Sequence, residues 1–238
     1  MSNYIIIGAS GGIGSQLTEY LQGKGHSVLI AQHNNPINEE PLVQSLTHIS
    51  SVEATDFGSV EDLINYGIEN LGDIDGVINL AGSILLKPAH RTSNEEYEFT
   101  INQNLKTSFS VVRSTGLLLE NASVVLISSA AASIGLKNHE AIAAAKAGVE
   151  GLARSAAATY AKKNLRFNVI APSLIDTPLA AGITSSPLAL KASEKMHPLG
   201  RIGTPQDLIK MIELLIDKEN NWITGNVFPI DGGISKIK

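Results

Sequence analysis

The residues best placed to do chemistry begin at Gly8. The run Gly8-Ala9-Ser10-Gly11-Gly12-Ile13-Gly14 follows a short apolar stretch and leads into a helical pattern. Glycines permit a tight turn and let backbone N–H groups close on a pyrophosphate, and a helix start adds partial positive charge. Strand before and helix after point to a dinucleotide rather than to a plain turn. Other chemistries are excluded by what is missing. The chain has no Cys, so disulfides, thiolate nucleophiles and thiolate metal clusters are ruled out. His139-Glu140-Ala141-Ile142-Ala143 opens like a zinc-protease helix but has no second His four residues on. His26, His33, His48, His90 and His197 show no ligand spacing, so no metal is expected. No G-x-S-x-G elbow indicates an acyl-transfer serine.

The elements that must position this turn alternate between β-type and helical runs. Strands are expected at 4–7, 27–31, 48–53, 76–80, 123–128, 166–171 and 226–230, most of them nearly continuous Val, Ile and Leu. Such runs suit strands covered on both faces, as in a parallel sheet. Helices are expected near 13–24, 59–71, 94–118, 139–163 and 205–217. The alternation implies right-handed crossovers and an α/β, doubly wound parallel sheet of about seven strands with helices on both faces. No linker interrupts the 238 residues, so one domain covers 1–238. The stretch 174–203, rich in Pro and Gly, reads as irregular, and 178–200 is expected to be a substrate lid. A net charge of −5 argues against a nucleic-acid surface. No apolar run reaches membrane-span length, and no signal-peptide core opens the chain. A cytoplasmic, reducing location fits the absence of Cys.

The glycine spacing is G-x-x-x-G-x-G, and with it the whole chain resembles the classical short-chain dehydrogenase/reductase family, a single-domain Rossmann fold, and in particular its 3-oxoacyl-ACP reductase-like members. Asn79-Leu80-Ala81-Gly82 is similar to the family's Asn-Asn-Ala-Gly segment, with Leu in second place. Ala171-Pro172-Ser173-Leu174-Ile175-Asp176-Thr177 is similar to its Pro-Gly-x-x-x-Thr segment, with Ser173 replacing Gly. The stretches Pro198 to Pro205 and Ile223 to Gly233 match its C-terminal pattern. The resemblance implies a nicotinamide coenzyme held by Gly8, Ser10, Gly12, Ile13, Gly14, Gln32, His33, Asp56, Phe57, Asn79, Ala81, Gly82, Lys146, Pro172, Ile175 and Thr177. Asp56 stands where the family's Asp contacts adenine. Gln32 occupies the slot of the ribose-binding Asp of NAD enzymes, and His33 the neighbouring slot that is often Arg in NADP enzymes. With no carboxylate there to repel a 2′-phosphate, NADP(H) is favoured over NAD(H).

The same resemblance assigns the catalytic positions to Asn104, Ser129 and Lys146. Four residues before Lys146, where the family has Tyr, stands Ile142, which can neither give nor take a proton. His139 is the candidate substitute. At about 100° per residue it lies about 20° from Lys146 on one helix face. The related enoyl-acyl carrier protein reductases place their Tyr seven residues before the Lys, the interval His139 occupies. The expected function is an NAD(P)(H)-dependent oxidoreductase moving hydride to or from a small carbonyl or alcohol substrate, or an enone, with an atypical proton donor. The alternative is a cofactor-binding pseudoenzyme acting through a partner chain. Lyase chemistry, as in the related halohydrin dehalogenases, fits less well, because those lose the glycines and keep the Tyr. A homodimer or homotetramer is expected, built on the helices near 94–118 and 139–163.

Overall fold

In the computed structural model, which describes residues 1–33, 37 and 39–237, seven parallel strands form one sheet in the order β3-β2-β1-β4-β5-β6-β7. The strands are β1 (Asn3–Ile7), β2 (Ser27–Gln32), β3 (Thr47–Ser51), β4 (Gly76–Asn79), β5 (Ser123–Ile127), β6 (Arg166–Pro172) and β7 (Val227–Ile230). Between them run α1 (Gly12–Gly23), α2 (Phe57–Leu71), α3 (Asn94–Ile101), α4 (Thr107–Leu118), α5 (Glu140–Tyr160), α6 (Ala181–Thr184), α7 (Pro187–Met196) and α8 (Pro205–Ile216). The near-continuous apolar strands follow from burial on both faces. Along β1, Ile5 and Ile7 enter the core made with Val60, Leu63 and Ile64 of α2, Val111 of α4 and Val149 of α5. Tyr4 and Ile6 enter the opposite core, made with Leu17 and Leu21 of α1 and Leu208 and Ile212 of α8. Strand order reverses between β1 and β4, and a crevice opens there at the carboxyl ends of the strands, the place where doubly wound sheets bind ligands.

Two local features differ from the periodicity reading. The helix expected over 94–118 is interrupted by a π-helical turn at Asn102–Lys106. The stretch 174–203 is not irregular throughout, because it contains α6 and α7. Pro187 sits in the first turn of α7, where a missing N–H costs nothing, and Ser186 caps that helix by accepting from the Ala189 N–H. Among the described residues, no helix is long and apolar enough to cross a membrane.

Candidate active site

Glycines build the floor of the crevice. Gly8 has a φ of +83°, and a Cβ there would lie 2.9 Å from the Leu80 carbonyl carbon and the Ala81 nitrogen, so β1 turns away directly against the end of β4. A Cβ on Gly14 would lie 2.4 Å from the Gly8 carbonyl oxygen, which forces glycine where α1 folds back on the turn. The first turn of α1 has no side-chain cap, because Gly11 stands at the cap position. By contrast Asp56, Ser93 and Ser186 cap α2, α3 and α7. The α1 N-terminus therefore offers orphan N–H donors and partial positive charge to the crevice.

Two cavities share the wall at Ala81. One, about 190 Å³, is lined by Gly8, Ser10, Ala31, His33, Val52, Glu53, Ala54 and Gln103. There the His33 Nε2 lies 3.0 Å from a Glu53 carboxylate oxygen. The other Glu53 oxygen accepts from the Thr55 N–H and hydroxyl, and these bonds, with His33 beside them, hold the Glu53 carboxyl below its ordinary pKa. Glu53 reaches this wall because β3 stops at Ser51. Asp56 and Phe57 lie elsewhere. The Asp56 carboxylate accepts from the Ser59 N–H at 2.8 Å as the α2 cap, and the Phe57 ring packs on Phe109 under Arg113. Glu53 carries no motif of its own, and its only signal in the sequence is its place at the end of the third apolar run. The Gln32 amide oxygen accepts from the Ile37 N–H beside this cavity rather than lining it.

The second cavity, about 150 Å³, gathers Ile13, Gly82, Asn104, Ser129, Ile142, Lys146, Pro172, Ser173, Ile175 and Thr177. Asn104 sits in the π turn, a feature that recurs at functional sites. Its amide donates to the Ser83 hydroxyl and the Thr100 carbonyl, and its oxygen accepts from the Ser83 N–H. Gly148 lets α5 come down on that turn, since a Cβ there would meet Leu105 at 3.0 Å. Lys146 is buried on α5 and donates to the Ile127 carbonyl at 2.9 Å. Burial lowers its pKa from 10.5 to about 8. The Ser129 oxygen accepts from the Ala131 N–H, which leaves its own O–H to aim into the cavity. Asn79, buried at the end of β4, accepts from the Ala81 N–H and shapes the shared wall.

Ile142 contributes an apolar wall one turn ahead of Lys146. His139 does not join this cavity. It stands at the cap position of α5, outside the lining, with its Nδ1 2.7 Å from the Lys137 carbonyl. No tyrosine lines the cavity either, and the Tyr160 ring packs against Phe167 and fills the space over Gly116.

An uncapped helix start at the switch point thus adjoins a cavity holding a hydroxyl and a buried ammonium, an arrangement able to hold an anionic dinucleotide beside a reacting oxygen. A family model described as enoyl-(acyl carrier protein) reductase matches residues 8–235. The 3-oxoacyl-(acyl-carrier-protein) reductase FabG of Thermotoga maritima is 30% identical over 97% of this chain and 96% of its own. A short-chain type dehydrogenase/reductase from Mycobacterium ulcerans superposes with a TM-score of 0.90 at 26% identity, over 100% of this chain and 90% of that one. ElxO, solved with NADP bound, superposes with a TM-score of 0.87 at 27% identity, over 98% of each chain. The chain belongs to the short-chain dehydrogenase/reductase family, whose members are NAD(P)-dependent oxidoreductases.

Proposed function

We propose that the chain moves hydride to or from a small carbonyl or alcohol substrate, an enone included, using NADP(H) in preference to NAD(H) and a proton donor other than tyrosine. The observation that carries this reading is the pairing of an uncapped α1 N-terminus with the buried Lys146 across one crevice. When bound, the nicotinamide ring supplies or takes up the hydride. The N–H groups at the start of α1 would hold the phosphates, and the Lys146 ammonium the ribose hydroxyls. Ile175 and Thr177 would hold the carboxamide, as the family resemblance implies. The Ser129 hydroxyl would polarise the substrate oxygen. Leu179 and Ala180, just after β6, line the cavity and support a lid over 178–200.

The absence of a carboxylate at Gln32 and the NADP seen in ElxO support NADP(H). One observation favours NAD(H), namely the Glu53 carboxylate beside His33, which would oppose a 2′-phosphate. Half-exposed Phe109, Phe99 and Leu117 on α3 and α4 support a homodimer or homotetramer. The apolar Ile142 favours the pseudoenzyme as the second reading. Titrating NADPH and NADH by fluorescence, then screening ketones, enones and alcohols for turnover beside Ile142→Tyr, tests both. Turnover by the natural chain upholds the oxidoreductase. Tight binding with turnover only in the Tyr variant upholds the pseudoenzyme.

A further inference from the structure

We propose that Ser173, backed by His197, passes the proton that the substrate oxygen gains or loses, in place of the tyrosine that position 142 lacks. This rests on the oxidoreductase reading above. Ser173 follows β6 directly and lines the same cavity as Ser129, Lys146 and Ile142. It also lines a second chamber of about 480 Å³ on its far side. His197, only 5% exposed, lines that second chamber beside Ser173. Its Nε2 lies 2.8 Å from the Ser173 Oγ, and its Nδ1 lies 2.7 Å from the Ser193 carbonyl.

A carbonyl oxygen only accepts, so Nδ1 carries a proton. In the neutral ring the Nε2 lone pair then accepts from the Ser173 hydroxyl. Hydroxyl, imidazole and orienting acceptor thus stand in the order that activates a serine. Gly232 secures the ring from behind, where a Cβ would lie 3.4 Å from the His197 Cδ2. The chamber's charged lining is Arg201, Asp207, Asp231 and Lys236. Arg201 is paired with Asp207, and Asp231 accepts from the Gly233 and Ser235 N–H groups. Neither carboxylate is hydrogen-bonded to His197, so no anion competes with Ser173 and the Ser193 carbonyl for its ring.

The step balances. In reduction, the carbonyl carbon gains hydride from the bound coenzyme and the C=O π pair moves to oxygen. That oxygen takes the Ser173 Oγ proton as Oγ takes one from Nε2 of the doubly protonated ring. His197 is left neutral and regains its proton from water. Oxidation runs the relay backwards from the neutral ring. Ser129 keeps its hydroxyl for polarising the substrate oxygen, and two further polar groups of the cavity are bonded elsewhere. Ser128 donates to the Lys146 carbonyl and Glu150, and Lys146 to the Ile127 carbonyl. The sequence places both departures on one cavity: a hydroxyl is gained at 173 where the family has Gly, and one is lost at 142 where it has Tyr.

The first readout needs no coenzyme. Ring-nitrogen NMR of the histidine-labelled protein should show His197 as the Nδ1–H form, with its Nε2 signal moved by Ser173→Ala. A ring protonated at Nε2 alone overturns the proposal. The second uses the panel ketone that the natural chain reduces fastest, beginning from ethyl acetoacetate. Ser173→Ala and His197→Gln should each lower kcat about 100-fold, with KM and coenzyme Kd nearly unchanged. A purely structural His197 would tolerate Gln, which keeps the hydrogen bond. In the Ile142→Tyr background, Ser173→Ala should cost almost nothing, because the phenol bypasses the relay. Coenzyme binding and turnover that survive Ser173→Ala sink this proposal alone. Failure to bind NADPH or NADH, or binding without turnover in the natural chain, sinks the oxidoreductase reading with it.

Discussion

Replacing Lys146 by Met should make the chain more stable at neutral pH while weakening its hold on the coenzyme. The ammonium is buried, and burial alone brings its pKa from 10.5 to about 8. At about 1.4 kcal/mol per pK unit, this gap corresponds to at most about 3.5 kcal/mol. The folded pKa lies below the unfolded one. Between pH about 8 and 10.5 the unfolded chain therefore binds more protons, and folding stability rises with pH. Below about 8 both states carry the charge and the penalty is full. Lys146→Met removes the penalty but strands the Ile127 carbonyl, which costs about 1 kcal/mol. The net expectation at pH 7 is a gain of at most about 2.5 kcal/mol. Urea unfolding of both proteins at pH 7, 8, 9 and 10, at one protomer concentration, gives the comparison. The stability of the natural chain relative to the Met variant should climb across that window. A flat or falling difference would refute the claim that a desolvated ammonium sits at the crevice.

Gly14→Ala should cost about 1–3 kcal/mol in urea unfolding and abolish the coenzyme-induced rise in melting temperature, because its Cβ would meet backbone that cannot retreat. Glu53→Gln should raise the NADPH preference over NADH about fivefold by fluorescence titration, since it removes about 1 kcal/mol of repulsion toward a 2′-phosphate. Asp207→Asn should cost about 1 kcal/mol by breaking the α8 cap, in which the Asp207 carboxylate accepts from the Thr204 N–H. Arg201 and Thr204 hold the Asp207 carboxyl well below the usual carboxylate range. Its contribution is present above the ordinary carboxylate pKa and fades as the pH falls, so the variant should lose less stability than the natural chain in acid unfolding.

The sheet was readable because its strands are covered on both sides, which leaves near-continuous apolar runs wherever a strand must lie. Strand ends were readable only to a residue or two, and that margin decided which carboxylate lines the cavity beside His33. With β3 ending at Ser51, the chain turns at Val52, whose N–H donates to the Gln32 carbonyl, and Glu53 faces the crevice. Asp56 is one helix cap too late to do so. Counting along the chain cannot separate these two carboxylates, because both follow one strand within a few residues. The π turn was hidden for a different reason. Asn102-Gln103-Asn104 is compatible with a regular helix, and the bonds of Asn104 to Ser83 and Thr100 that accompany the widened turn are not encoded in any local pattern. The prolines of 174–203 suggested irregularity, yet Pro178 and Pro187 open short helices, where proline is tolerated.

Helical angle and the seven-residue interval to Lys146 both drew attention to His139, whose ring stands outside the cavity lining. A residue at a helix cap lies at the end of the cylinder, and there its ring is held by the Lys137 carbonyl away from the cavity. His197 carried no such signal, because it is 24 residues from Ser173 and reaches it only when α7 folds back over the end of β6. The sequence did record the partner of that contact, a serine at 173 where the family pattern has glycine. Glycine there would leave the His197 Nε2 without its hydroxyl, with a buried polar atom to satisfy by other means. The substitution at 173 and the buried ring at 197 are therefore one unit. The proposed relay would put the proton donor at the end of β6 rather than along α5, and Ser173→Ala measured with and without Ile142→Tyr decides between the two elements.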